Sequence, residues 1–495
     1  MSAARALPLR PAAGPLVDAD GHVVEPESAW SGLPDEWRPR ITADRNGYEH
    51  VVVGDTELLA VPLGNLCRPG STFDDPAAFR PLADALPGGW DPVVRLADMD
   101  SEGIDQAVLY PTIGLYFTLV EDPAAAVALA VASNDWLAGY CAADPRRLFG
   151  AATLPLQDPP AAARELRRAV SELGLVAGFV RPNPCLGRSL SDRAYDVVWA
   201  AAEELGVPIG IHEGSSVDVP TLGADRPFNP LLLHAVSHSF EAMLACAQLI
   251  AFGTLERHPG LRLAFLESSG GWAPFWIERL DEQAASFGGF CPDMRLRPSE
   301  YFARQCAISF EVDERTLPAL TPFVGERRVL WGSDYPHHDA TFPGAGAAIR
   351  TTVSPCPTAT QVRILGLNAR QHYRLPTRRT GLPGLLDDYF TAVTAQDIDA
   401  VRALFAPEAV FESGDIRLQG LDAICEYYRT KTFTYQDFRP VPRHPEFAGT
   451  QMRVAIDVHL GGAEHTVHDV FETDGTRITA LRVKGFEEAL QDTAD

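Results

Sequence analysis

Short apolar runs recur along the first three-quarters of the chain, each closed by polar, reactive residues and followed by a helical stretch. They are LVDADGH (16–22), IDQAVLYP (104–111), LFGAATLP (148–155), VAGFVRP (176–182), GVPIGIHE (206–213), LRLAFLE (261–267), CAISFE (306–311) and RVLWGSD (328–334). Segments between them, such as PAAARELRRAVSELG and SDRAYDVVWAAAEELG, repeat their apolar residues at helical spacing. Eight strand–helix units over roughly 370 residues predict an α/β fold, a TIM-like (β/α)8 barrel with insertions. A doubly wound open sheet is the rival, but it wants a nucleotide fingerprint, and GAGAAI (344–349) has no third glycine.

Residues 35–90 interrupt the pattern after the first strand. Within them GYEHVVVGDTELLAV reads as a hairpin turning at Gly54-Asp55, placed to roof the barrel mouth as a lid. Pro, Gly, Arg and Thr cluster in LPTRRTGLPG, which sets a linker at 375–384 between a barrel domain (1–374) and a C-terminal domain (385–495). There LLDDYFTAVTAQDIDAVRALFA and GLDAICEYYRT read as helices, PEAVFES as a strand, and TQMRVAIDVHL, EHTVHDVFET and RITALRVKGF as alternating antiparallel strands. That order predicts a small α+β domain.

Composition narrows the partners. The chain has 495 residues, 46% hydrophobic and 22% charged, which suits two soluble domains with sizeable cores. A net charge of -24 disfavours nucleic acid and anionic membrane surface, leaving a small molecule as the better partner. Eight scattered cysteines without a CxxC fit reduced thiols, and no apolar run reaches membrane-spanning length, so a cytoplasmic location is expected.

The strand ends carry His22, Arg181, His212, Glu267 and Asp334, where barrel enzymes place their chemistry. Asp20 and His22, two apart on a strand, leave the same face. Asp18 is an alternative to Asp20, and Glu25 reads as structural. Arg181 offers a fork to a substrate carboxylate or pairs with a neighbouring acid. Glu267 precedes SSGGW, where desolvation by Trp272 would raise its pKa toward a general acid's range. His238 and His337 are further candidates for the mouth, His337 and Trp272 as substrate contacts. No GxSxG or HExxH occurs, which disfavours serine hydrolases and zincins.

At DADGHVVEP, RLADMDSEGIDQAVLYPT, VPIGIHEGS, LRLAFLESSGGWAPFW and VLWGSDYPH the chain resembles the amidohydrolase-2 branch of the amidohydrolase superfamily, which contains amino-carboxymuconate-semialdehyde decarboxylase-like enzymes. The resemblance implies a (β/α)8 barrel holding one divalent metal ion, zinc or manganese. It places the ligands at Asp20, His22, His212 and Asp334. In the family the first strand commonly reads HxH, and here Asp20 stands first, giving a harder, more anionic site. A sixth-strand histidine of the decarboxylases is replaced by Glu267. Physically, the four side chains supply enough N/O donors for a catalytic metal with an open position, and Asp334 is also placed to hold or shuttle a proton.

LPGLLDDYFTAVTAQDIDAVRALFAPEAVFES resembles the start of a SnoaL-like or ketosteroid-isomerase-like cone fold, in which a curved sheet and helices surround a pocket. Tyr389 matches the isomerases' oxyanion tyrosine, whereas their catalytic aspartate falls on Ser413. His459, His468 and Asp469 offer a different dyad or merely face solvent. The domain is expected to be an accessory one, covering the mouth or making a homodimer.

The function expected from the resemblance is metal-dependent, non-oxidative decarboxylation of a small aromatic or unsaturated organic acid. Hydrolysis of a carbon–nitrogen, ester or carbon–carbon bond would use the same residues, and a non-catalytic binding protein is the alternative from another class.

Overall fold

Four helices open on one device, an Asp or Asn followed by Pro. Asp91, Asp122, Asp158 and Asn229 each accept hydrogen bonds from the first free backbone N–H groups of helices Pro92–Glu102, Pro123–Cys141, Pro159–Ser171 and Pro230–Ala251. The proline occupies the first helical position, where its missing N–H costs nothing. The computed structural model describes residues 14–45, 47–59, 62–75, 78–215, 218–226 and 229–485.

The chain divides into two compact units, one of Leu16–Thr352 with Asn368–Leu375 and the other of the remaining residues. In the first, all eight expected strands form: β1 (Val17–His22), β5 (Gln106–Tyr110), β6 (Leu148–Thr153), β7 (Ala177–Val180), β8 (Ile209–Ile211), β9 (Leu263–Phe265), β10 (Cys306–Glu311) and β11 (Val329–Gly332). They pair in parallel in that order, and nearly every strand residue is buried, as a sheet covered on both faces requires. The ring closes where Asp334 N–H donates to Asp20 O (2.9 Å) and His22 N–H to Tyr335 O (2.6 Å). Gly332 permits that approach: a Cβ there would lie 2.5 Å from the Cβ of Asp20.

The insertion contains the hairpin β3 (Glu49–Val53) and β4 (Thr56–Leu59), turning at Gly54-Asp55, with β2 (Arg40–Ala43) added antiparallel at the edge of β3.

The C-terminal unit holds six strands in the order β13-β12-β17-β16-β15-β14: β12 (Phe405–Ser413), β13 (Ile416–Gln419), β14 (Arg439–Ala448), β15 (Gln451–Leu460), β16 (Ala463–Thr473) and β17 (Ile478–Lys484). β12 and β17 run parallel, and the other pairs are antiparallel. The run read as one helix is two, Gly381–Thr394 and Ile398–Leu404, separated by left-handed Gln396 and restarted by the Asp397 cap. Helix Gly381–Thr394 starts inside the stretch read as linker, because Pro383 falls in a first turn that has no N–H partner to lose. Residues 353–367, inside the 1–374 span, cluster with this unit, where buried Arg363 meets buried Asp397 at 3.1 Å.

Candidate metal centre and active site

The carboxyl end of β1 meets those of β8, β9 and β11. His22 Nδ1 lies 2.9 Å from Pro111 O and His212 Nδ1 2.5 Å from Glu213 O, so each ring donates its Nδ1–H to a carbonyl. That fixes the bare lone pair on each Nε2, and these two atoms face each other at 3.0 Å. Two acceptors so placed repel unless a cation sits against them. Carboxylates complete the cluster: Asp20 Oδ1 is 3.5 Å from His212 Nε2, Asp334 Oδ1 is 3.4 Å from His22 Nε2, and Glu267 Oε2 is 3.2 Å from His212 Nε2. Asp20 Oδ1 and Asp334 Oδ2 are buried without a hydrogen-bond partner. Donor atoms of Asp20, His22 and His212, and of His22, Glu267, Asp334 and His337, lie close enough to share an ion. The donor set therefore fits a divalent metal.

The electrostatics agree with that fit. Burial, then the Glu267 charge, pushes Asp334 well above the usual carboxylate range, and burial raises Asp20 although His212 opposes it. Burial, then His337 and His212, drives His22 well down; burial also lowers His212, but Asp20, Glu267 and the Glu213 carbonyl together raise it, surroundings that favour a cation, proton or metal, on its Nε2. So many acids around so few cations favour a bound positive ion. Glu267 and Asp334 adopt left-handed backbone (φ 38° and 53°), a conformation held at cost where a side chain must be aimed.

Asp18 turns away from this centre. Its oxygens accept from Ser333 N–H and Oγ–H, and Arg95 stands 3.8 Å off, so it fastens β1 to β11. Glu25 accepts the N–H groups of Thr112, Ile113 and Gly114.

Three sequence readings are corrected here. Arg181 is not a free carboxylate clamp: it is buried and donates to Glu213 Oε1 (2.7 Å), Gly214 O, Leu115 O and Asn183 Oδ1. Trp272 is not in the lining of either cavity described below; it packs on Phe265 and its Nε1 reaches Ser268 Oγ at 3.4 Å. Glu267 is not a raised-pKa acid. Burial opposes ionisation, but His238, 3.3 Å from Oε1, and His212 together outweigh it and lower Glu267 to about 2. His238, despite burial, is raised by Glu267 to about 9.

His337 does reach the centre: its Nδ1 is 2.7 Å from Asp334 Oδ1 and its Nε2 2.9 Å from Thr112 Oγ1. Burial holds it down at about 4. Two cavities open beside the cluster. One of about 380 Å³ is polar and bordered by His238, Glu267, Glu311 and Asp339. The other, about 480 Å³, is roofed by Leu66, Phe73 and Phe79 of the insertion and reaches His238, Glu267 and His337.

Sequence reasoning missed His234, Asp339 and Glu311. His234 lies 3.4 Å from Asp339, and burial with the Glu267 charge raises Glu311. A signal existed for one: His234 and His238, four apart in one helix, share a face.

Among known proteins, the amidohydrolase family model matches residues 17–375 and the SnoaL-like domain model residues 386–485. The 2-amino-3-carboxymuconate-6-semialdehyde decarboxylase of Dictyostelium discoideum is 31% identical, covering 50% of this chain and 67% of that one. The gamma-resorcylate decarboxylase of Rhodococcus jostii is 32% identical, covering 53% and 86%. Of solved structures, the 5-carboxyvanillate decarboxylase of Sphingomonas paucimobilis matches with a TM-score of 0.56 at 27% identity, covering 73% of this chain and 99% of its own. An amidohydrolase of Mycobacterium avium subsp. paratuberculosis matches with a TM-score of 0.63 at 25% identity, covering 73% and 99%.

Proposed function

Since the chain belongs to the amidohydrolase family, we propose that its barrel is a metal-dependent, non-oxidative decarboxylase of aromatic acids bearing an oxygen substituent beside the carboxylate. The observation that carries the metal is the pair of Nε2 lone pairs facing each other at 3.0 Å with both Nδ1 atoms committed to carbonyls. The reaction class rests on relatives that are decarboxylases, one of an open-chain unsaturated acid and two of hydroxylated aromatic acids, and the last two support the aromatic substrate.

His22, His212, Asp20 and Asp334 would hold the ion, with Glu267 within reach of the same point. When bound, the metal supplies Lewis-acid polarisation of a carboxylate and a neighbouring oxygen. The remaining work falls to the chain. Decarboxylation adds a proton to the ring carbon that bears the carboxylate; the carbon–carbon bond then breaks, its electron pair stays with the ring, and CO2 leaves. His238 borders both cavities and shares its Nε2 hydrogen with Glu267 Oε1, so the His238–Glu267 pair is the group placed to deliver that proton. His337, held between Asp334 and Thr112, orients the carboxylate of Asp334. The insertion's aromatic roof excludes water from a flat ring.

The test is CO2 release from 2,6-dihydroxybenzoate, 5-carboxyvanillate and related hydroxybenzoates by manganese- or zinc-loaded protein. Turnover of at least one, lost in His212→Ala, is expected. Hydrolysis of esters or amides with no CO2 from any acid would overturn the reading.

A further inference from the structure

Away from the strand ends, a second set of ligand-type side chains gathers at the barrel mouth. His234, near the start of helix Pro230–Ala251, meets His338 and Asp339 of the loop after β11, and one donor atom of each lies within reach of a shared ion. Asp339 faces an imidazole with each oxygen: Oδ2 is 3.4 Å from His234 Nε2, and Oδ1 is 3.4 Å from His338 Nδ1. Both gaps exceed the about 2.7–2.9 Å of a charge-assisted hydrogen bond. They match instead the about 3.3–3.4 Å between ligand atoms around a tetrahedral ion whose bonds are about 2.0–2.1 Å long.

The three side chains are positioned independently of the first centre. Gly70 N–H of the insertion donates to His338 O (2.6 Å), and the Phe73 ring meets the His338 ring edge-on, with centroids 4.9 Å apart. His234 stacks on His238, one turn along its helix, at 4.4 Å. His238 and Glu267 also come near His234, but they hold each other at 3.3 Å, which leaves His338 and Asp339 as its partners.

Unpartnered atoms mark the place. His338 Nδ1 is buried and has no hydrogen-bond partner. Asp334 turns Oδ1 to His22 and His337, and its Oδ2, on a residue 3% exposed, is likewise without one. The Asp339 carboxyl stands within hydrogen-bonding reach of that of Asp334, and two such groups repel unless a hydrogen or a cation lies between them. The polar cavity beside them carries Glu267, Glu311, Asp313 and Asp339, with no Lys or Arg among its described lining residues, so its potential draws cations.

We propose that His234, His338 and Asp339 form a second divalent-metal site, separate from the centre at the strand ends, which takes zinc from solution. Two imidazoles and a carboxylate suit that ion. The side chains of His234 and Asp339 are 42% and 38% exposed, so water competes for them and the ion is held more weakly than the first. Both residues border both cavities, so a zinc there adds positive charge to the wall that an anionic substrate meets. That consequence for a substrate rests on the function proposed above; the site itself does not.

The experiment is equilibrium dialysis of the full chain against increasing free zinc, with zinc and protein measured in the retained solution. Wild type should hold one zinc after desalting and two at saturation. His234→Ala and His338→Ala should each keep the first zinc and bind the second at least about tenfold more weakly. His22→Ala should lose the first and keep the second. Circular dichroism checks folding, and His234→Ala, a partly exposed helix position changed to a strong helix former, decides the matter if His338→Ala fails to fold. A single zinc at every concentration, or a second zinc undiminished in both variants, would overturn the proposal. So would a second zinc lost in His22→Ala but kept in His234→Ala, which would assign it to the strand ends. Failure of the barrel to release CO2 would leave the site standing.

Discussion

Two imidazoles that turn bare nitrogens toward each other make poor neighbours without a cation, and this fixes the first expectation at the scale of residues. His22→Ala and His212→Ala should each lose the metal by elemental analysis while the protein stays folded; full metal in both would remove the centre. The pair Glu267 and His238 separates two roles. His238→Gln should lower turnover by about 10² to 10⁴ with metal content unchanged. Glu267→Gln should lower it as far, and whether it also loses metal tells if Glu267 is a ligand or only the partner of His238. Asp469 gives a pH signature. Its folded pKa of about 8 lies above its ordinary 3.8, so its contribution to stability is full below pH ~4, falls as pH rises, and is gone above about 8. Relative to wild type, Asp469→Asn should remove a downward slope of up to about 1.4 kcal/mol per pH unit in that window, read by denaturant unfolding. Equal slopes would show that the carboxyl is solvated.

Among the elements, Arg181 acts as a strut between the ends of β7 and β8: its contacts hold Leu115, Glu213 and Gly214, and Glu213 O in turn holds His212 Nδ1. Arg181→Ala leaves buried Glu213 without its guanidinium and only His238 Nδ1, 3.8 Å from Oε2, beside it, so a loss of up to about 3–5 kcal/mol in stability is expected, seen as a lowered melting temperature and not as a change in KM alone. The sequence could not settle this, because the choice between clamp and strut depended on which acid 32 positions away would arrive beside it. The eight barrel strands were legible because buried parallel strands are continuous apolar runs. In the other unit, β14 was missed because Pro440 and Pro442 break the strand pattern, and the sheet tolerates them by placing β14 at its edge. The parallel pairing of β12 with β17 was missed as well, since alternation shows a face and not a neighbour. Asp20 and His22 were legible through their spacing of two, whereas Asp339 and Glu311 belong to the mouth only through the ring's closure.

For the molecule as a whole, the metal should stabilise only what binds it. In calorimetry of the full chain, a chelator should lower the barrel's transition, by about 2.7 kcal/mol against protein at a hundredfold excess of metal over Kd. The transition of the C-terminal unit should not move. A parallel shift of both would show that the two unfold together. The acidic surface, at -24, also repels an anionic substrate over long range, so added salt should raise kcat/KM until screening is complete. Division of labour within the barrel unit has one further consequence. The residues proposed to hold the ion are wired to the closure of the ring through Asp18, Ser333 and Gly332, but Leu66, Phe73 and Phe79 belong to an excursion that none of those bonds enters. A library randomised at these three positions would therefore sample new specificities without dismantling the catalyst, and the barrel could diversify through its roof while its floor stayed fixed.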